Sequence, residues 1–232
     1  MSIQAVFWDY DNTILATADA HWKKHQTVLA THGIQLDEVF KKKIYANNGN
    51  QNWEWMSQEL GLKVPQEEYL KAVDREFQQY MLNLEMRPGV AELFTLIKNL
   101  GLPQGIITNA RRNSAEPVLD ERGITSFMRL ILFKEDYQGR KPEPTPYLSG
   151  FEKMGILLKE SIEPKRCIVI EDDPNGVESA HKAGAIVIHR KLSEEEPDSP
   201  LADYCCFHKD DFIKIMTTLL NLETAARDGK LT

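Results

Sequence analysis

Two aspartates, Asp9 and Asp11, stand one residue apart at the end of the apolar run Ala5-Val6-Phe7-Trp8, and Thr13 follows two places later. Residues two apart on a strand point the same way. Both carboxylates are therefore expected at one edge, although regular alternation can fail just past a strand. Such neighbours repel, and something must offset that repulsion. The same stretch has a plainer reading, because Asp-Asn-Thr is good turn and helix-capping material. A second acidic group, Glu171-Asp172-Asp173, follows the apolar run 167–170. Asp173 precedes Pro174, and proline favours the first helical position with aspartate at the cap before it, so Asp173 is expected to cap a helix. Glu171 and Asp172 are then left in the turn, free to face the same edge as Asp9. Carboxylate oxygens from separate loops are what magnesium takes, together with waters and a substrate phosphate.

Two smaller signals lie between these groups. Thr108-Asn109 follows another apolar run and places a hydroxyl and an amide at a strand end, with an ordinary loop as the alternative. Lys141, in Gly139-Arg140-Lys141-Pro142-Glu143-Pro144, precedes a helical pattern, and a solvated loop lysine is the alternative there.

The elements that must position these residues are legible as short apolar runs. Strands are expected at 3–8, 105–108, 129–133, 167–170 and 185–188, with a weaker one at 202–206. Between them Val90, Leu93, Phe94, Ile97 and Leu100 recur at helical spacing. So do Tyr147, Leu148, Phe151 and Met154, and later Phe212, Ile215, Met216, Leu219 and Leu220. Strands apolar on both faces, alternating with amphipathic helices, imply an α/β fold: a Rossmann-like, doubly wound parallel sheet. In open sheets of this kind ligands bind at the carboxyl edge of the strands.

The segment 17–84 breaks the alternation. It shows helical patterns only, the clearest being Tyr69, Leu70, Val73, Phe77, Tyr80, Met81 and Leu84. It reads as an inserted α-helical subdomain, leaving 1–16 and 85–232 as the α/β core. Residues from about Glu223 read as a frayed tail.

The chain has 232 residues, 42% apolar and 27% charged, enough for a sizeable core. Its net charge of −7 argues against nucleic-acid binding, which needs a basic face. No apolar run is long enough to span a membrane, and no signal peptide is expected. Cys167, Cys205 and Cys206 form no disulfide framework, so thiols in the cytoplasm are expected. The acidic cluster Glu194-Glu195-Glu196-Pro197-Asp198 reads as a solvated loop.

Taken together the order is DxDxT after the first strand, Thr after a later strand, Lys-Pro before a helix, and Glu-Asp-Asp after a strand. This order resembles the haloacid dehalogenase superfamily, in particular its phosphoglycolate-phosphatase-like and β-phosphoglucomutase-like members with a helical cap. The resemblance extends through Arg87-Pro88-Gly89-Val90 and the segment 176–184. It implies a magnesium-dependent phosphatase acting on a small phosphorylated metabolite such as a sugar phosphate, as a monomer or homodimer. Asp9 would be the nucleophile, forming an aspartyl-phosphate. Asp11 would protonate the leaving alcohol and then deprotonate water. Magnesium would be bound by Asp9, the backbone carbonyl of Asp11, and Asp172, with Glu171 as a further ligand or close partner. Lys141 would pair with the phosphate and Asp9, and Thr108 and Asn109 would bind the phosphate.

Three positions depart from the family's pattern. Asn12 stands where glycine is common, Asp173 where serine is common, and Ala16 where relatives often carry an acid. Leaving-group contacts are expected in the amide-rich stretch 45–53, with an ordinary polar loop as the alternative. His21 matches a histidine common in β-phosphoglucomutase-like proteins. Rival readings are a phosphosugar mutase, a dehalogenase, and a non-catalytic phosphate- or protein-binding member of the fold. The segment 44–62 holds no Lys or Arg for a second phosphate, and Asp11 argues against a dehalogenase.

Overall fold

The computed structural model describes residues 2–81 and 83–221, so the tail expected from Glu223 lies outside the described residues. Six strands form one sheet: β1 (Ala5–Trp8), β2 (Gln104–Ile107), β3 (Leu130–Leu132), β4 (Cys167–Glu171), β5 (Ile186–Arg190) and β6 (Tyr204–Cys206). All pairings are parallel, and the order is β3-β2-β1-β4-β5-β6. β1 lies between β2 and β4, at the point where the winding reverses. That is where an open sheet forms its ligand crevice. Burial follows position: β1, β2 and β4 are buried throughout, whereas the edge strands β3 and β6 are partly exposed.

The helices among the described residues are α1 (Ala18–Thr31), α2 (Lys41–Ala46), α3 (Gly49–Glu59), α4 (Gln66–Met81), α5 (Val90–Asn99), α6 (Arg112–Glu121), α7 (Thr145–Leu158), α8 (Pro174–Lys182) and α9 (Lys209–Leu219). Alternate strand residues face opposite layers. Ala5, Phe7, Ile107, Val169 and Val187 share one cluster with Tyr147, Phe151 and Met154 of α7 and with Val177 and Ala180 of α8. On the other face the Trp8 ring meets Phe94 of α5 and Phe212 of α9 edge-on, at 4.9 and 6.2 Å between centroids. Each such buried apolar side chain contributes about 1.5–3 kcal/mol relative to exposure. Polar atoms in this layer are satisfied: Trp8 Nε1 donates to Gln104 Oε1, and Gln104 Nε2 donates to the carbonyl of Phe94.

The chain divides into two compact units. One comprises 1–15, 86–112 and 123–232; the other comprises 16–85 and 113–122. The second unit has its own core, built on Trp22, Leu29, Trp55, Met56, Tyr69 and Val73. In α4 the buried residues are Tyr69, Val73, Phe77 and Met81, one per turn. His25 is buried, with Nδ1 2.6 Å from the Tyr69 hydroxyl. α6 carries Pro117 in its interior. A proline there cannot donate to the carbonyl four residues back, and that carbonyl, of Asn113, accepts from Gln78 Nε2 instead.

The amide-rich stretch 45–53 is a helix junction. Asn48 and Gln51 form a reciprocal capping box at the start of α3. Asn52 is buried, donates to the carbonyls of Ile44 and Asn47, and accepts from Trp55 Nε1. These amides therefore carry structural hydrogen bonds within the helical unit. The His21 ring lies 4.5 Å from that of Phe77.

Candidate active site

Asp9 continues the sheet ladder for one residue past β1, its N–H bonded to the carbonyl of Ile170. The ladder thus fixes where its carboxylate begins. Lys141, from the loop before α7, is 4% exposed. Its ammonium lies 2.5 Å from Asp9 Oδ1 and 2.5 Å from Glu171 Oε1, and donates to the carbonyl of Ile107 at 2.9 Å. It also stands 5.1 Å from the Tyr147 ring centroid.

Glu171 ends β4 and has no exposed surface. The Tyr147 hydroxyl donates to its Oε1. Its Oε2 is buried without a hydrogen-bond partner. The carboxylate lies where a side chain at position 176 would begin: a Cβ there would meet it at 2.1 Å. Asp172 is 5% exposed, and Thr13 Oγ1 donates to its Oδ1 at 3.0 Å. Asp173 does what Asp-before-Pro implies, its side chain accepting from the N–H of Asn175 at the start of α8.

Ligand oxygens of Asp9, Glu171 and Asp172 lie within 4.8 Å of one another. The Asp11 carboxylate is not in this group, and Asp11 is partly exposed. The chain turns there through Asn12, whose φ is +53°, a left-handed conformation that asparagine tolerates almost as glycine does. That is the physical reason this turn needs no glycine at position 12. The Arg87 guanidinium holds the turn, donating to the carbonyls of Asn12, Arg190 and Lys191.

Thr108, just past β2, is buried. Its Oγ1 accepts from the N–H of Ala110, which leaves the hydroxyl proton available to a ligand. Asn109 is exposed, and its Oδ1 takes the Tyr137 hydroxyl at 3.2 Å and the Lys141 N–H at 3.4 Å. The amide of Asn109 thus ties the β2 loop to the loop that carries Lys141.

Three buried carboxylates cluster here, and the Lys141 ammonium pairs with two of them, Asp9 and Glu171. Burial raises Asp9 well above the usual carboxylate range, with Glu171 and Asp172 adding to the effect and Lys141 opposing it. Burial and the Glu171 charge likewise raise Asp172, and burial raises Glu171 against the pull of Lys141. Burial works against the Lys141 ammonium, yet Asp9 and Glu171 together hold its pKa well above the ordinary lysine value. Excess buried negative charge, hard oxygen donors and one unpartnered carboxylate oxygen fit a small divalent cation.

Sequence reasoning brought Asp9, Lys141 and Asp172 to one place, and the structure puts them there. It gave less weight to Glu171, which sits between Lys141 and Tyr147, and to Thr13. The sequence pattern marks Tyr147 only as one of the apolar-face residues recurring at helical spacing. Its hydroxyl, on a face shared with Phe151 and Met154, is the signal that could have marked it.

A family model described as haloacid dehalogenase-like hydrolase matches residues 6–189. Among curated relatives, the N-acetylmuramic acid 6-phosphate phosphatase of Pseudomonas aeruginosa is 28% identical over 228 residues, 95% of this chain and 97% of that protein. The phosphorylated carbohydrates phosphatase of Thermotoga maritima is 22% identical over 183 residues, 78% of this chain and 82% of that protein. Among solved structures, the β-phosphoglucomutase of Clostridium difficile superposes with a TM-score of 0.72 at 17% identity, covering 96% of this chain and 99% of that one, a likeness of fold.

Proposed function

The chain belongs to the haloacid dehalogenase-like hydrolases and is a phosphatase of that family; from that premise we propose that it hydrolyses small phosphorylated sugars through an aspartyl-phosphate on Asp9. The observation that carries this reading is the convergence of Asp9, Glu171 and Asp172 with the Lys141 ammonium at the carboxyl edge of β1. Among the described residues no helix is long and apolar enough to cross a membrane. All three cysteines are free thiols, which supports a cytoplasmic setting.

An anionic nucleophile approaching an anionic phosphate meets a repulsion of about 4 kcal/mol at 4 Å and an effective dielectric of 20. Lys141 lowers that barrier, because its ammonium is already fixed against Asp9, where its positive charge offsets the negative charge of the incoming anion. The available Thr108 hydroxyl donates to a phosphate oxygen. A divalent cation, magnesium in our reading, would be held by Asp9, the Asp11 backbone carbonyl and Asp172, with Glu171 close by, and would supply the remaining positive charge. The Asp9 carboxylate attacks phosphorus as the phosphate–oxygen ester bond breaks, and Asp11 gives its proton to the departing alcohol. Asp11 then takes a proton from water as that water attacks phosphorus, freeing Asp9 and inorganic phosphate. The relatives' names point to phosphorylated sugars, N-acetylmuramic acid 6-phosphate among them, as the first substrates to try. We assign leaving-group selection to the helical insertion, residues 17–84.

The test is phosphate release from p-nitrophenyl phosphate and from a panel of sugar phosphates with magnesium present. Turnover is expected with magnesium and lost in excess chelator. Asp9→Asn with full activity would reject the nucleophile, and unchanged activity in chelator would reject the metal.

A further inference from the structure

His189 is 2% exposed near the end of β5, and the hydrolysis described above does not use it. β5 pairs with β4 so that His189 stands opposite Glu171, which brings the ring to the turn that carries Asp172. His189 Nε2 lies 3.1 Å from the backbone carbonyl of Asp172 and 3.3 Å from Glu196 Oε1. Both partners are acceptors, so their arrangement assigns the proton to Nε2. Nδ1 is buried with no partner, so all the polar attachments of the ring are at Nε2.

Glu196 belongs to the acidic stretch that reads from sequence as a solvated loop. Its neighbours behave that way: the side chains of Glu194 and Asp198 are both 72% exposed. Glu196 is only 23% exposed. Its Oε2 accepts from the N–H of Leu192 at 2.6 Å, while Lys191 pairs with Asp198 at 3.0 Å. The loop is therefore folded back on its own start, and the carboxylate it tucks in is the one that meets His189.

We propose that His189, oriented by Glu196, is a positioning residue for Asp172. It holds the peptide carbonyl of Asp172 from one side while Thr13 holds a carboxylate oxygen from the other, which fixes how Asp172 is offered to a divalent cation. This rests on the assignment of Asp172 as a metal ligand in the proposed function. Groups that orient a metal ligand typically contribute about 10- to 100-fold in metal affinity.

The experiment is calorimetric titration of the full chain with magnesium alone, without substrate. It compares the unsubstituted protein with His189→Phe, His189→Gln, Glu196→Ala and Asp172→Asn. The phenylalanine keeps the ring's bulk and removes the Nε2 donor, and a weakening of about 10-fold or more is expected. Gln offers an amide N–H near the same place and is expected to recover affinity to within about 3-fold of the unsubstituted protein. Glu196→Ala changes a loop residue and is expected to weaken binding several-fold with the fold intact; it decides the question alone if His189→Phe does not fold. Magnesium affinity unchanged in both His189→Phe and Glu196→Ala, with binding lost in Asp172→Asn, overturns this proposal and leaves the parent reading standing. No magnesium binding by the unsubstituted protein overturns both.

Discussion

The carboxylate of Glu171 occupies the space in which a side chain on Gly176 would begin, 2.1 Å from the position of a Cβ there. Gly176 lies in the first turn of α8 and is buried. The carboxylate cannot swing aside freely, because Lys141 and Tyr147 both hold its Oε1. Gly176→Ala is therefore expected to shift Glu171 and with it Lys141. The expected cost is about 1–3 kcal/mol of stability, as for other overpacked sites, together with a marked fall in kcat. Urea unfolding and aryl phosphate turnover measure the two effects. An unchanged unfolding midpoint would mean that Glu171 has another place to go.

Tyr147→Phe removes a single oxygen atom. Glu171 would lose the hydroxyl donor and keep only Lys141, so its charge would draw more strongly on that ammonium and compete with Asp9 for it. A hydrogen bond to a charged group contributes about 1.5–3 kcal/mol, and a stability loss in that range is expected. The KM for a small phosphomonoester should stay within about 2-fold, while kcat falls by roughly 10-fold, the pattern of a lost transition-state contact.

Divalent metal should stabilise this protein against heat. Three buried carboxylates cluster here and the one ammonium pairs with only two of them, Asp9 and Glu171, and a ligand bound only by the folded state adds about 2.7 kcal/mol at 100 times its Kd. For a chain of this size that corresponds to a rise in Tm of about 5 °C or more. Differential scanning calorimetry with magnesium and with chelator reads the shift. Asp172→Asn should abolish most of it, and a shift of the same size in that variant would place the cation elsewhere.

The helical unit carries its own pH dependence. Burial, with help from the nearby charges of Lys24 and His21, holds His25 well below the ordinary histidine value. Above pH 6.5 neither the folded nor the unfolded chain protonates this ring, and it contributes no pH dependence. Below that, the unfolded chain takes up the proton first, so stability falls as pH falls, by up to about 1.4 kcal/mol per pH unit. The difference between the parent protein and His25→Gln in urea unfolding, at pH 7.5 and at 5.5, isolates this contribution. The parent should lose about 1 kcal/mol more than the variant over that interval.

The six strands and the layers around them are legible in the sequence because parallel strands are apolar on both faces and short. Their ends move by a residue or two; β5, for example, runs on through His189 and Arg190 beyond the apolar run. The converging residues were legible where a local rule applied, as with carboxylates just past a strand end or Asp before Pro. α6 was not, since Pro117 argues against a helix interior and only the distant Gln78 side chain makes it tolerable. Tyr147, His189 and Glu196 were missed for a related reason. Their importance lies in contacts between segments, such as the 24 residues separating Tyr147 from Glu171. No periodicity encodes such contacts. In the amide-rich stretch 45–53 a capping box and a buried Asn52 use polar groups that look free in the sequence, as the alternative of an ordinary polar junction implies.

The chain leaves the α/β unit and re-enters it at nearly the same point. Leu15 bridges Met86, the N–H of Arg87 meets the carbonyl of Ile14, and the Arg87 side chain closes over Asn12. The exit and return are thus stitched to each other by bonds that involve nothing in between. Such a junction works as a socket: the intervening segment can be shortened, lengthened or exchanged for another without reopening the sheet.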